Sequence, residues 1–509
     1  MSPLRQKSRG ARRISALLFS LLRRVGGWLD SWLEHRQARR ANRPEQRNPL
    51  PLHFELLEPR LLLSADLISG SLSHDAFTPA VPGDHVSALF EVLRPDSQPL
   101  SSPVRIDFYA SSDRVLDAGD TLVGRTEVAA DALAVGANAL RVNLDPRAIA
   151  QPEHYSLIGV IDPNDAIVES DETNNQAIAA QPLDFALAVG QLPGRSQVPL
   201  IELTDADGTR FTLAISGPGT ANLTPDGTGY QLAISGSDAS TRVDLTGSGG
   251  DGRIVLTGIT ASGPLGSLTA PIASLTGTAS FSVLNSLSLG GTAANSRLQG
   301  SSLASFSVAG DALGDLRLSG GFGFVLGSAQ VNGALGGLWA INGRGNSVSA
   351  QTTTADWRAN FSAPLTQLVV RGDASGQLAS SALQLLQVGA NLKGMTVRIG
   401  ANLGSDAVLG GSGSAADQFG PGTLARLRVS GDLIDSHILI GVDPRNGIEF
   451  DGDDRQLGTA TNRLQELLVG GQLQGDARIV APAFPASVRV GDATLDRKST
   501  RLNSSHLVI

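Results

Sequence analysis

From Leu424 to Gly441 the chain reads LARLRVSGDLIDSHILIG, in which Leu427 and Val429 alternate with polar residues, Gly431-Asp432 interrupts, and Ile438 and Ile440 alternate again. Period-two alternation predicts two short strands, each with one apolar face, joined by a glycine turn. The pattern returns as LASFSVAGDALGDLRLSG (Leu303 to Gly320), LQLLQVGANLKGMTVRIG (Leu383 to Gly400) and LQELLVGGQLQGDARIV (Leu464 to Val480). Leu268, Leu289 and Val308 recur at steps of roughly 20 residues, and Val388, Val429 and Val469 at about twice that. A unit this short cannot bury its apolar face alone. The repeat therefore predicts a parallel β-helix, or β-solenoid, whose coils cover one another. It is expected over Gly263 to Leu495, with the β-rich stretch Gln181 to Ser262 as cap and first coils.

Two longer segments, Ala401 to Thr423 and Val442 to Asn462, interrupt the repeat at the same phase, so both are expected on one face of the stack. That face is the expected contact surface. The second segment carries Asp443, Glu449, Asp451, Asp453 and Asp454. Of these, Asp451, Asp453 and Asp454 are candidate ligands for calcium, which takes carboxylate oxygens; a solvated acidic loop equally needs no ion.

Upstream, Ala65 to Ala180 alternates with a different spacing. Candidate strands at Ala65 to Leu72, Val86 to Val92, Val104 to Ala110, Thr121 to Val128, Ala139 to Leu144 and Tyr155 to Ile161 predict an all-β sandwich. Asp113, Asp117 and Asp120 cluster in its loops and are a second set of calcium candidates. Aspartates in such turns more commonly cap their own backbone, and that is the reading favoured here.

Composition narrows the function classes. At 509 residues the chain exceeds one hydrophobic core, and 59 glycines with only 4% aromatic residues suit thin repetitive β-structure. It has no cysteine, which excludes disulfides and thiolate metal sites. A net charge of −8 argues against a nucleic-acid partner. The basic leader, Met1 to Leu52, departs from this balance. In it Leu18, Leu22, Val25, Leu29, Trp32 and Leu33 fall at helical spacing with Arg23, Arg24 and Arg36 off the stripe. Either an amphipathic helix on a membrane surface or a disordered basic leader satisfies that pattern, and nothing in it is long enough to span.

The seven histidines are scattered, and no phosphate-cradling or nucleophile-elbow motif occurs. An enzyme is therefore not expected. The alternative is a polysaccharide-active β-helix enzyme, a lyase or hydrolase, with its catalytic part missing. Arg371-Gly372-Asp373 aligns with Ala309-Gly310-Asp311 and Ser430-Gly431-Asp432, so the turn itself accounts for the glycine and the aspartate of this integrin-type tripeptide.

Four short stretches resemble known sequences. His53 to Asp66 contains Leu57, Glu58, Pro59 and Arg60 followed by Leu62 and Leu63, and it resembles the signature of the LEPR-XLL family of long, repetitive bacterial proteins; that resemblance implies export. IDFYASSDRVLDAGDTLVG (Ile106 to Gly124) and YSLIGVIDPNDAIVESDETNN (Tyr155 to Asn175) resemble the CARDB domain, an immunoglobulin-like module associated with cell adhesion. The last stretch, Asp496 to Ile509, leaves the repeat and resembles a translated sequencing-library adapter, which implies a reading frame that runs off a fragment. Together the expectation is an extracellular or cell-surface bacterial structural and adhesion protein, non-catalytic and without a cofactor other than calcium. Its expected partners are cell-surface or matrix components, glycans or other cells, with membrane contact through the leader.

Overall fold

The computed structural model describes residues 65–321, 323–459, 462, 464–485 and 487–496. The basic leader, the motif at Leu57 to Leu63 and all of the adapter-like tail after Asp496 lie outside the described residues. Almost every element is a strand; three single-turn 3₁₀ segments are the helical exceptions among the described residues. None of these is long and apolar enough to cross a membrane.

An antiparallel sandwich comes first. One sheet joins Ile68–His74, Val86–Arg94 and Gly136–Leu144; the other joins Thr121–Val128, Val104–Ser111, His154–Ile161 and Gln176–Ile178. Alternation places Phe90 and Phe108 on the two inner faces, where their rings meet edge to face at 5.7 Å. Gly159 lets the sheets approach, since a Cβ there would sit 3.3 Å from both rings. The second sheet also takes in Leu183–Asp184, and Phe185 and Leu187 complete its core, so pairing continues past the expected end at Ala180.

The cap that follows is antiparallel. Leu200–Thr204, Arg210–Ser216 and Arg242–Ser248 form one ribbon, and Thr220–Asp226 pairs with Gly229–Ser235. Parallel pairing begins when Gly229–Ser235 meets Ile254–Ala261. The buried pair Arg195 and Asp84 ties cap to sandwich at 2.5 Å.

From there the chain climbs as a parallel solenoid within a 28-stranded sheet. Its first ladder stacks Val283–Thr292, Ser302–Val308, Phe324–Val331, Arg344–Ala350, Leu365–Val370, Ala382–Val388, Thr423–Val429 and Glu466–Val469. Val388, Val429 and Val469 are in register, as the repeat predicts. Leu268 is the exception: it faces Leu287, and Ala270 takes the rung below Leu289. Each rung buries residues in the order of Leu424, Leu427 and Val429, all 2% exposed or less. Stacking them removes every coil's apolar face from water at about 25 cal/mol per Å².

The second ladder stacks Arg297–Gly300, Asp315–Leu318, Leu338–Ile341, Arg358–Phe361, Ala374–Ser380, Leu392–Ile399, His437–Ile440 and Arg478–Val480. Between the ladders the glycine turns also stack, and their aspartates bond the next rung. Asp311 Oδ1 accepts the Ala334 N–H at 2.8 Å, Asp373 Oδ1 that of Asn391 at 2.9 Å, and Asp432 Oδ1 that of Gln472 at 2.7 Å. Asp373, in the integrin-type tripeptide, also pairs with Lys393 at 2.6 Å, so its carboxylate serves the stack. The parallel ladder stops at Ser487–Val490, which pairs antiparallel with Ala493–Asp496.

Candidate functional site

The second ladder carries both insertions. They leave it after Ile399 and Ile440, which are paired directly, and the chain turns away at Gly400 and Gly441 with φ of 95° and 65°. Both insertions thus start from stacked positions on one edge.

The first insertion folds back over the ladder and is pinned by Asn360. This amide is 3% exposed. Its Nδ2 donates to Asn402 Oδ1 at 2.8 Å and to the Gly404 carbonyl at 2.7 Å, and its Oδ1 accepts the Leu403 N–H at 2.9 Å. Ala401 and Leu403 then close a small apolar cluster with Ala379, which is why this loop holds a fixed course. Asp417 in the same loop is held above the ordinary carboxylate range by burial.

A charged clamp fixes the second insertion. Arg398 makes a bidentate pair with Glu449, Nε to Oε1 at 2.6 Å and Nη2 to Oε2 at 3.0 Å, with both side chains only 10% and 12% exposed. Next to it Phe450 adopts φ of 66°, costly for a bulky residue. Its ring is held between His437 at 4.7 Å and the Arg478 guanidinium at 4.4 Å.

The calcium candidates divide. Asp451, Asp453 and Asp454 bring one carboxylate oxygen each within 4.8 Å of the others at the insertion surface. Within that group Asp453 is held above its ordinary value by the hydrogen bond it shares with Asp451, and that bond holds Asp451 below its own. Asn446 donates to Asp451 at 2.6 Å and the Phe450 N–H to Asp454 at 2.6 Å, and these bonds help to order the loop. Asp113, Asp117 and Asp120 do not converge in this way. Asp113 accepts the Val115 N–H at 2.9 Å, Asp117 that of Gly119 at 2.7 Å, and Asp120 that of Asp117 at 3.0 Å. Each carboxylate caps its own loop.

Three further features emerge only in the structure. Glu169, 7% exposed, accepts the Leu67 N–H at 2.7 Å; burial, with Glu172 and Asp162 nearby, pushes its carboxyl up to about 7. A cleft of about 1080 Å³ between sandwich and cap mixes Arg147, Glu202, Asp205 and Arg210, and burial there pushes Tyr230 up to about 12. A groove of about 700 Å³ crosses the second ladder beside the first insertion, lined by Gln299, Arg317, Asn342 and Asn402 among others. Hydroxyl and amide residues recurring once per coil on the outward side of that ladder are the signal for it in the sequence.

No family model matches the chain, and no curated protein matches it. Among solved structures, one match is the crystal structure of the CARDB domain of a Pyrococcus furiosus protein in complex with di-metal ions. The identity is 17%, the match covers 24% of this chain and 96% of that one, and the TM-score is 0.18. A score of that size carries no functional argument, and the metal ions belong to that protein.

Proposed function

We propose that the chain is a non-catalytic structural and adhesion protein of the bacterial surface or extracellular space, and that the insertion-bearing ladder is its contact face. The observation that carries this reading is that both insertions start from paired residues on one ladder and are fastened down by Asn360 and Arg398. Fastening of this kind prepares a surface before a partner arrives, which lowers the ordering cost of binding. Its polar groups are spread along coils, suited to many small contacts and avidity rather than to chemistry in a water-excluded pocket. The LEPR-XLL-like residues Leu57 to Leu63 support an extracellular address.

Two measurements test it. Fractionation of cells carrying the intact chain, with and without His53 to Asp66, reads the address; cytoplasmic retention of the intact chain contradicts the reading. Incubating the purified chain with polysaccharides and following new reducing or unsaturated ends reads turnover. Product accumulating with time would favour the lyase or hydrolase alternative.

A further inference from the structure

Outward positions of the second ladder, preceded by Ser280 at the end of the strand Leu265–Ser280, form two polar rows along the solenoid. Register pairs Ser280 with Gln299, Gln299 with Arg317, Arg317 with Ala340, and Ala340 with Asn360. One corner further on, Ser301, Ser319, Asn342 and Ser362 follow successive strands of the same ladder, each donating its N–H to the coil beneath. Ala340 is the small member of the first row. The surface therefore dips between Arg317 and Asn360, and Asn402, Gly404 and Ser405 of the first insertion wall the dip at one end. The groove spans five coils, and four intervals of about 4.8 Å give a length of roughly 19 Å.

Its chemistry is selective. Among the described residues the lining holds no carboxylate and no lysine, and Arg317 is its one cation. The rest of the polar lining is amide and hydroxyl, groups that both donate and accept. Two internal bonds, Gln299 Nε2 to Ser280 Oγ at 2.9 Å and Ser362 Oγ to Asn342 Oδ1 at 3.0 Å, orient these side chains and leave part of their capacity open. Arg317 Nε is buried without a hydrogen-bond partner, and the guanidinium reaches Asp315 only at 3.6 Å. Nε itself has no exposed surface, so the guanidinium meets a ligand through its terminal nitrogens, on a side chain 37% exposed. Phe281 also lines the groove, an apolar side chain among the polar groups.

From these observations we infer that the groove binds a short, linear, uncharged oligosaccharide lying along the solenoid axis, with Arg317 donating to a hydroxyl or ring oxygen. A polyol matches a lining of mixed donors and acceptors repeated once per coil. A polyanion would meet a single guanidinium. An added peptide strand would find the backbone groups of the rungs already paired in the ladder. This inference rests on the proposed contact face and names its ligand class.

The test uses the full chain with a panel of neutral and anionic oligosaccharides, read by calorimetry. The expected result is binding of at least one neutral linear oligosaccharide, weakened at least tenfold by Arg317→Ala and by Ala340→Trp. Both positions face outward, and unchanged thermal unfolding verifies that each variant is folded. No neutral binder at millimolar concentration, a preference for anionic chains, or affinity unaffected by Ala340→Trp in a folded variant would overturn the inference. Should that happen while adhesion still requires the insertions, the contact-face reading stands and only its ligand is wrong.

Discussion

Replacing Asn360 with alanine should release the first insertion while leaving the solenoid intact. The side chain makes three hydrogen bonds, at 2.7, 2.8 and 2.9 Å, to Gly404, Asn402 and Leu403, from a site 3% exposed. At a net value of about 1 kcal/mol each, the loop loses about 3 kcal/mol of local stability, equivalent to roughly a hundredfold in its opening equilibrium. Hydrogen exchange of the Leu403 amide reads that equilibrium directly. Asn360→Asp separates the two halves of the interaction. It keeps the acceptor for Leu403 but replaces the donating amide with a carboxylate facing Asn402 Oδ1 and the Gly404 carbonyl, so it should open the loop at least as much. Exchange at Leu403 unchanged in Asn360→Ala, or raised equally throughout the ladder, would refute the idea that Asn360 is the local pin.

Other substitutions probe the remaining structure. Leu427→Ala, in a fully buried rung between Leu386 and Leu467, should cost about 2–5 kcal/mol in denaturant unfolding. Glu169 has a folded-state pKa raised from 4.5 to about 7, so the folded protein holds that proton more tightly than the unfolded chain. Its contribution is full below the unfolded value and is lost as pH rises through about 7, on the order of 3 kcal/mol. Glu169→Gln should remove that fall when urea midpoints at acid and mildly alkaline pH are compared with wild type. Asp117→Ala should cost about 1 kcal/mol through loss of the Gly119 cap. Calcium should not alter that cost, and a calcium-dependent rise in melting temperature that Asp117→Ala abolishes would contradict the capping role.

Much of the fold was legible because solenoid packing repeats in the sequence. Val388, Val429 and Val469 can be aligned by eye since each covers the one before, and the common phase of the insertions follows from the same alignment. Leu268 falls out of line because Leu287 and Leu289, two residues apart on one strand, satisfy a spacing of roughly 20 residues equally well. Leu183–Asp184 is too short to alternate, so its pairing with His154–Ile161 leaves no signal in the sequence. Details of the candidate site were hidden for a different reason. Asn360 with Leu403, and Arg398 with Glu449, are contacts across 43 and 51 residues that leave no local periodicity. The groove depends on Ala340 being small where its ladder neighbours are Arg317 and Asn360, and that contrast emerges only once outward residues are aligned coil by coil.

The contact-face claim is tested most directly by adhesion. Residues 401–423 and 442–462 would each be replaced by a short turn in the full chain, and binding of the purified protein to cells and to immobilised surface material compared with wild type. With β-type circular dichroism and the unfolding transition preserved, binding should fall to background when both insertions are absent. A folded double replacement that binds as well as the intact chain would contradict the account.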